Sequence, residues 1–445
     1  MADARVVKIL LGDAPVGHLT GFQDGKSLFA FDDSYIDLGP GRPTLGLSFN
    51  TPGDEEATER KLREIYSSRM KLPPFFSNLL PEGVLREYMV KRLKIHHDHE
   101  FEILMALGAS LPGAVRALPA DELPQAASNY RPGTTRAAAD ETPIKFSLGG
   151  SQLKFSMIER GGGFTLADGN DEWIVKPPHP THPNVPANEY TMMRLAAAVG
   201  IQTPEVKLVK LDDVDLGGLA GLSIPQWESW AYAVKRYDRT AEGRVHVEDF
   251  AQVFNVYGDQ EYKATNYDTI GRLIFDLFPN RFEQIAEFVR RLVVNILIGN
   301  GDAHLKNWSV IYQDKVTPQL APAYDLVSTI QYVANDTLAL NLAGEKRFAS
   351  IDEAHFDRLA RRMEAPPKFV LDVVKQTVTT ARKEWPGIVR EIGLPENMRE
   401  RLYGYWVGLS ELLWIPSIDF EEQKKFREGS QAAEAIDYFS KHFPK

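Results

Sequence analysis

The chain contains no cysteine among its 445 residues. Disulfide bonds, cysteine-ligated zinc, iron–sulfur clusters and thiol nucleophiles are therefore excluded. The chain also lacks any run of about 18 apolar residues, the length that a membrane-spanning helix needs. Its first residues, Met1 to Arg5, lack the charged-then-apolar layout of a secretory signal. These absences predict a cytoplasmic protein that does not bind membranes.

An excess of positive charge is missing as well. Lysine and arginine number 51 against 61 aspartate and glutamate residues, which gives a net charge of −10. Affinity for nucleic acid depends on the phosphates that basic side chains neutralise, so this balance argues against a chain that coats nucleic acid by bulk charge. The net charge of the whole chain does not exclude a local basic patch.

The length of the chain predicts two or three domains, and its apolar pattern predicts where they lie. Before the middle of the chain it favours a β-rich unit over 5–49, helices over 55–107, a turn and strand over 108–118, and a mobile linker over 119–142. The segment that follows the linker has the layout of a kinase-like small lobe, with one helix predicted at 187–199. Its predicted strands are 144–148, 153–159, 172–176, 205–211, 217–224 and 230–236.

The remainder of the chain has a mainly helical pattern. Helices are predicted at 266–278, 282–299, 351–363, 367–383, 396–413 and 419–442, with the proline-interrupted stretch 384–387 separating two of them. The predicted domains are therefore 1–120, 143–240 and 241–445.

Two polar residues, Asp302 and Asn307, lie five positions apart, and Asp325 follows eighteen residues after the asparagine. Phosphoryl transfer from ATP needs such a set, because one carboxylate accepts the proton of the attacking hydroxyl while an amide oxygen and a second carboxylate hold Mg²⁺. The apolar run 292–298 ends in Gly299-Asn300-Gly301, which predicts a sharp stop that places Asp302 in a loop. The His-Arg-Asp and Asp-Phe-Gly tripeptides of protein kinases are absent, so the spacing counts only with this context.

Three further features stand in the order in which a kinase would need them. Gly149-Gly150 lies in the segment 147–154, where glycines would let backbone N–H groups approach phosphates, although for this segment by itself a plain hairpin turn is the better-supported reading. Lys176 ends a strand and is a candidate phosphate ligand, and Glu189 is a candidate partner for it; a solvated lysine and a first-turn glutamate are the alternatives. The segment 231–239 has the character of a hinge that would contact adenine.

In combination these motifs resemble the HipA family of bacterial serine/threonine kinases, the toxins of type II toxin–antitoxin systems. The resemblance includes 75–83, 146–154, 174–177, 188–190, 235–239, 301–307 and 324–326, and it covers almost the whole chain. It implies an α+β, two-lobed protein-kinase-like fold with an extra N-terminal β-rich subdomain and a mainly helical C-terminal lobe.

Carried over by position, the resemblance assigns a role to each matching residue. Asp302 would be the catalytic base, His304 and Lys306 would support it, and Asn307 and Asp325 would bind Mg²⁺. The residues assigned to ATP are Ser147, Gly149, Gly150, Ser151, Gln152, Lys154, Lys176, Lys235, Arg236 and Tyr237. Ser147 would also be an autophosphorylated regulatory serine, with Ser151 and Ser156 as fallback acceptors. The family has Ala-Gly where this chain has Gly149-Gly150, and a glutamate is common where Lys235 stands.

The resemblance also implies partners. They are a small helix-turn-helix antitoxin dimer, operator DNA bound through that complex with Lys346 and Arg347 as candidate contacts, and an aminoacyl-tRNA synthetase as substrate. Two other functions stay open: a small-molecule or lipid kinase of the same fold, and a DNA-associated corepressor with dispensable catalysis. The intact set of Asp302, Asn307 and Asp325 argues against the corepressor as the whole function.

Overall fold

A computed structural model describes residues 4–108, 110–121, 124, 153–166, 171–215, 225 and 228–416. The predicted strands 144–148 and 217–224, the helix 419–442, and Ser147, Gly149, Gly150, Ser151 and Gln152 lie outside these residues. The chain divides into two compact units. Unit 1 comprises Met1–His179, Val209–Glu261 and Trp308–Ala321, and unit 2 comprises Pro180–Leu208, Tyr262–Asn307 and Pro322–Lys445. The domain boundaries drawn from the sequence stay a prediction.

The N-terminal part of unit 1 is a sheet covered by short helices. Its strands are β1 (Arg5–Leu11), β2 (Ala14–Gly21), β3 (Lys26–Phe31), β4 (Tyr66–Arg69) and β5 (Val115–Ala120). They are ordered β4-β3-β2-β1-β5, and every neighbouring pair is antiparallel. The helices are α1 (Asp33–Ile36), α2 (Glu55–Leu62), α3 (Pro74–Ser77), α4 (Gly83–Leu93) and α5 (Glu100–Leu107).

Two expectations for this region need correction. Strand β4 lies inside the stretch 55–107 that was predicted to be helical; it has only four residues, too few for their alternating burial to stand out from the helices around them. Strand β5 continues to Ala120, into the predicted linker, because pairing with β1 extends as far as Val6–Ala120.

A second sheet follows in unit 1. Its strands are β6 (Phe155–Arg160), β7 (Gly163–Leu166), β8 (Trp173–Lys176), β9 (Val206–Lys210), β10 (Val214–Asp215) and β11 (Trp230–Lys235), in the order β10-β7-β6-β8-β11-β9. The strands predicted at 153–159, 172–176, 205–211 and 230–236 are thereby confirmed. One continuous apolar core joins this sheet to the N-terminal sheet and includes Phe29, Phe75, Phe155 and Trp173.

Shorter elements complete unit 1. Strands β12 (Arg239–Thr240) and β13 (Gly243–Arg244) form a small ladder, and a third sheet consists of β14 (His246–Asp249), β15 (Ser309–Tyr312) and β16 (Gln319–Leu320) in that order. A one-turn helix, α7 (Phe250–Val253), follows β14 and begins with a capping box between Asp249 and Gln252. Strand β15 begins two residues after Asn307.

Unit 2 is mainly helical. Its helices are α6 (Val185–Ala198), α8 (Tyr267–Leu277), α9 (Arg281–Ile298), α10 (Glu353–Met363), α11 (Pro367–Ile392) and α12 (Glu396–Gly408). Their positions confirm the predicted helices, with one correction at each of the last two. Helix α11 passes through Pro386 without a break, and α12 ends at Gly408 instead of residue 413.

Tertiary packing explains the continuity of α11. Trp385 is fully buried, its Nε1 donates to the carbonyl of Leu195 at 2.9 Å, and its ring lies 5.9 Å from that of Trp406. These contacts hold the helix where proline removes a backbone donor. Among the described helices, none is both long enough and apolar enough to cross a membrane.

Candidate active site

The candidate site is built on the end of helix α9. The residues of its last turns, Leu292 to Ile298, are all buried, which fixes the helix in the core of unit 2. Gly299 follows with φ +63°, a left-handed conformation that glycine adopts without a steric penalty, and its N–H closes the helix on the carbonyl of Ile296 at 3.1 Å. The predicted stop is therefore confirmed.

A pair of buried asparagines shapes the loop that follows. Asn300 Nδ2 donates to Asn295 Oδ1 at 2.8 Å, and Asn300 Oδ1 accepts the backbone N–H of Asp302 at 3.0 Å. Both asparagines are shielded from solvent. A buried amide retains its place only when its hydrogen bonds are made, so this relay fixes the backbone at Asp302.

The carboxylate of Asp302 is held from one side. Its Oδ1 accepts a hydrogen bond from the hydroxyl of Tyr262 and lies 3.6 Å from His304 Nε2. The ring of Tyr262 packs against that of His304 with centroids 4.7 Å apart. The Asp302 side chain nevertheless stays 53% exposed, so an incoming group can reach it.

Asn307 lies in the same loop, at the end of a 3₁₀ turn, Leu305–Asn307. Its Nδ2 donates to the backbone carbonyl of Asp302 at 2.6 Å. Lys306 is buried beside it, with its N–H on His304 Nδ1 at 3.3 Å and its carbonyl bonded by the hydroxyl of Tyr324 at 2.7 Å. The structure thus brings Asp302, His304, Lys306 and Asn307 together.

Asp325 completes the predicted set. It lies just after Tyr324, with a left-handed φ of +52° that is costly for a residue with a side chain. Its charge acts on Asp302, as does that of Asp336. Removal of Asp302 from water is the largest cause of its raised pKa; Asp325 and Asp336 add to it, while His304 and the Tyr262 hydrogen bond oppose it. Because half of the side chain is exposed, solvent limits the size of this shift.

Several residues of the site are absent from the sequence predictions. Asp336 accepts a hydrogen bond from the Thr329 hydroxyl at 2.5 Å, and Thr329 Oγ1 accepts the N–H of Gly301 at 2.6 Å. Tyr262 lies 40 positions before Asp302 and Asp336 lies 34 positions after it, and no local sequence pattern links them to Asp302. The sequence shows a tyrosine and an aspartate in loops at these positions, but it does not indicate that they belong to the site.

The fit of a magnesium ion can be tested on this geometry. In the described residues no three histidine, aspartate or glutamate side chains are grouped as a ready metal site. Magnesium bound to a nucleotide is held by one or two protein carboxylates and by phosphate oxygens. Asp325 and the amide oxygen of Asn307, whose Nδ2 is already used, are suited to that partial set.

Comparison with known proteins shows the family to which the chain is related. Residues 7–118 match the family described as the HipA N-terminal domain, and residues 146–385 match the HipA-like C-terminal domain. The chain belongs to the HipA family. The fold class predicted from the sequence is also confirmed, since the chain is similar to HipA in the Shewanella oneidensis complex of HipA, HipB and operator DNA, with a TM-score of 0.67 at 19% identity over 97% of this chain and 99% of that one.

Two relatives named as kinases are similar to the chain. The Sinorhizobium fredii protein named "Putative kinase Y4dM" is 43% identical over 393 residues, which cover 86% of this chain and 92% of the relative. The "Serine/threonine-protein kinase toxin HipA" of Shewanella oneidensis is 27% identical over 298 residues, which cover 58% of this chain and 63% of the relative. Membership in the HipA family thus places the chain among kinase-like proteins.

The residues of unit 1 that the resemblance to the HipA family assigns to ATP have different environments. Lys176, at the end of β8, is buried with its Nζ 5.7 Å from the centre of the Tyr232 ring. Lys154 precedes β6 and is half-buried. Lys235 is exposed and lies 6.0 Å from the Trp173 ring, while Tyr237 is half-buried. Glu189 is buried on α6, in unit 2, and its pairing with Lys176 stays a prediction.

Arg236 requires a different account. Its guanidinium is fully buried, with Nε 2.9 Å and Nη2 2.7 Å from the carboxylate of Asp238 and Nη1 bonded to Asp171. Burial opposes ionisation of Asp238, yet the charges of Arg236 and Arg239 hold the pKa of this carboxyl below its ordinary value. The side chain of Arg236 is therefore committed to a structural ion network and is left out of the ATP ligands proposed below.

Proposed function

We propose that this chain is an ATP- and Mg²⁺-dependent serine/threonine protein kinase that acts as the toxin of a HipBA-type toxin–antitoxin system. The observation that supports it most is the gathering of Asp302 and Asn307 on one rigid loop with Asp325 within electrostatic reach. This is the constellation that phosphoryl transfer to a hydroxyl requires.

The residues of the loop have separate tasks. Asp302 accepts the proton of the acceptor hydroxyl, and its exposure leaves it accessible to a protein side chain. Asn307 and Asp325 hold Mg²⁺, and bound Mg²⁺-ATP supplies the γ-phosphoryl group. Lys176 and Lys154 are the described candidates for phosphate ligands, and Lys235 and Tyr237 those for the hinge. The buried amides and Lys306 keep the loop in place, which lowers the cost of reorganisation during the reaction.

The test compares wild type with Asp302→Asn in a host lysate supplied with [γ-³²P]ATP. We expect the variant to lose about 10²- to 10⁴-fold of phosphoryl transfer, the usual share of a general base, while it still binds Mg²⁺-ATP in calorimetry. Asp357→Asn is the control, because Asp357 lies on α10, outside the site, where its carboxylate pairs with Arg361 at 2.8 Å. Full phosphoryl transfer by Asp302→Asn under single-turnover conditions would contradict the assignment of Asp302 as the general base.

The labelled products also identify the acceptor class. The proposal expects a labelled protein, and an aminoacyl-tRNA synthetase is the candidate that the family resemblance implies. Label found only in lipids or metabolites would replace the protein-kinase assignment by a small-molecule kinase. Asn307→Ala and Asp325→Asn should raise the Mg²⁺ concentration needed for half-maximal transfer, since each removes one oxygen ligand.

Autophosphorylation at Ser147 is a further part of the proposal. A phosphate adds about 1.5 to 2 negative charges, which would compete with the phosphates of ATP for Lys176. Of the fallback acceptors, Ser156 is buried on β6 with its hydroxyl 3.4 Å from Arg236 Nη1, so it is a poor acceptor in the folded state. Peptide mass spectrometry after incubation with ATP, with Ser147→Ala as control, decides this point. An unmodified Ser147 peptide from enzyme that loses activity with time would contradict it.

We also propose that a small helix-turn-helix antitoxin dimer supplies most of the DNA contacts of a shared complex. The candidate contacts of this chain are already engaged within it: Arg347 pairs with Glu345 at 2.9 Å, and Lys346 Nζ donates to the carbonyl of Ala339 at 2.7 Å. Size-exclusion chromatography after co-expression with the product of the neighbouring gene, followed by gel shift on the promoter, tests this. Tight sequence-specific binding by this chain alone would contradict it.

A further inference from the structure

The two oxygens of the Asp302 carboxylate have different surroundings. Oδ1 accepts the hydroxyl of Tyr262 and lies 3.6 Å from His304 Nε2. Oδ2 makes no hydrogen bond to any residue in the described part of the chain, although the side chain is 53% exposed. A carboxylate has lone pairs for several donors, so a bond on Oδ1 leaves Oδ2 open to another hydroxyl.

Tyr262 is itself held in place. The residue is 40% exposed, but its ring packs against the His304 ring in a tilted arrangement, with centroids 4.7 Å apart and an interplanar angle of 54°. It precedes helix α8, whose start is fixed by the side chain of Asn266 on the N–H of Thr269 at 2.8 Å. The hydroxyl therefore approaches Asp302 from one defined direction.

We propose that Tyr262 is a positioning residue that holds Oδ1 of Asp302 and thereby presents Oδ2 to the acceptor hydroxyl. This inference rests on the proposed kinase function. In the step it supports, the acceptor proton moves to Oδ2 and the acceptor oxygen bonds to the γ-phosphorus of ATP. The bond from that phosphorus to the β,γ-bridging oxygen breaks, and ADP leaves. Tyr262 keeps its own proton throughout.

Tyr262→Phe removes the hydrogen bond to Oδ1 of Asp302 and keeps the ring. We expect kcat to fall by about fivefold or more, the size expected for loss of a charge-assisted hydrogen bond, with an unchanged KM for ATP. Tyr190→Phe is the matched control, because the Tyr190 hydroxyl accepts a bond from Arg194 at 2.8 Å on the protein surface. An unchanged kcat, or a faster variant in which Tyr262 merely obstructed the acceptor, would overturn the proposal.

A second measurement does not depend on activity. The carboxyl carbon of Asp302 can be observed by NMR at a single pH in protein labelled at aspartate, with Asp302→Asn assigning its resonance. We expect its chemical shift to change in Tyr262→Phe, which loses the donor on Oδ1, and not in Tyr190→Phe. If wild type transfers no phosphate to any acceptor, the proposed function fails, while this chemical shift still decides whether Tyr262 holds Asp302. An equal chemical shift in wild type and Tyr262→Phe would contradict the positioning role.

Discussion

The Cα of Gly301 lies directly against the carboxylate of Asp336, and a Cβ at Gly301 would be 2.3 Å from Asp336 Oδ2. No real Cβ tolerates that distance, so one of the two groups would have to move. Asp336 is not free to swing away, because it is bonded to the Thr329 hydroxyl and to the backbone N–H of Thr337 at 2.8 Å. The glycine is therefore a steric requirement of the loop that carries Asp302.

Gly301→Ala should consequently displace the loop. We expect at least about a tenfold loss of phosphoryl transfer, because a shift of about 1 Å at a catalytic group is enough for such a loss, together with a lower melting temperature. Gly387→Ala is the control: Gly387 lies in helix α11 with open space around its Cα, so alanine should stabilise the protein by about 0.5–1 kcal/mol. Calorimetry and a single-turnover assay on both variants check this. Normal transfer by Gly301→Ala would show that the loop tolerates the shift.

A second prediction concerns the amide relay behind the loop. Asn295→Ala leaves Asn300 Nδ2 without its partner in a fully buried position, which should cost about 1–3 kcal/mol in the free energy of unfolding. Transfer should fall too, because Asn300 fixes the N–H of Asp302.

A double-mutant cycle in urea with Asn300→Ala measures the coupling of the two amides. We expect the double variant to lose less free energy than the sum of the single variants, because the second substitution removes the group that the first leaves unpaired. Additive losses would show that the two side chains act independently.

The sequence predicted the parts of this site that lie close together along the chain. The buried end of α9, the stop at Gly299 and the reach from Asp302 to Asn307 all depend on local spacing, so they could be identified without a structure. Tyr262 and Asp336 could not, because their contacts with the loop form only when distant segments of unit 2 pack together.

The errors in the fold have the same origin. Pro386 carries a strong local signal for a helix end, yet the buried ring of Trp385 and its bond to Leu195 outweigh that signal. Strand β4 exists because an edge of the N-terminal sheet is available to pair with it, between Lys26–Arg69 and Phe29–Tyr66. Neither the contacts of Trp385 nor the edge of the sheet that pairs with β4 can be inferred from local propensity.

A third prediction follows from Glu248 on β14. Its Oε1 accepts the N–H of Leu47 at 2.9 Å and the hydroxyl of Tyr312, whereas Oε2 is buried without a hydrogen bond to any described residue. Burial is the main cause that raises the pKa of Glu248 to about 8, and burial likewise lowers the pKa of the neighbouring His246 to about 4. These two groups make stability depend on pH in opposite directions.

The sign follows from which state binds more protons. Below pH 6.5 the unfolded chain protonates His246 and the folded chain protonates Glu248, so the two effects oppose each other. Between about pH 6.5 and 8 only Glu248 of this pair titrates, and the folded state holds its proton. The free energy of unfolding should therefore fall as the pH rises through this window, by up to about 1.4 kcal/mol per pH unit.

Glu248→Gln should remove that slope, because the amide stays neutral and its oxygen can still accept the bonds from Leu47 and Tyr312. The variant should then be more stable than wild type at pH 8. Urea unfolding between pH 6 and 9 measures this, and Glu56→Gln, at an exposed position on α2, is the control. A slope retained in Glu248→Gln would mean that another group binds the proton.

The last prediction separates two neighbouring residues that the sequence assigned to one role. Arg236 neutralises Asp171 and Asp238 in a fully buried network, which also holds the N–H of Gly113 on Asp238 at 2.8 Å. Lys235, the preceding residue, is exposed, and its Nζ lies 6.0 Å from the centre of the Trp173 ring. Arg236→Met should therefore cost about 3–5 kcal/mol in the free energy of unfolding, because Arg239 alone cannot balance two buried carboxylates.

Arg236→Lys is the informative companion to that variant. It keeps the charge but cannot bond both oxygens of Asp238 at once, so its cost should be intermediate. Lys235→Ala should change stability by less than about 0.5 kcal/mol and weaken ATP binding if Lys235 contacts the nucleotide. Urea unfolding and calorimetric titration with Mg²⁺-ATP on the three variants make the comparison. If Arg236→Met were as stable as Lys235→Ala and had lost ATP binding, Arg236 would be a ligand of the nucleotide, and the ion network would not be what fixes it.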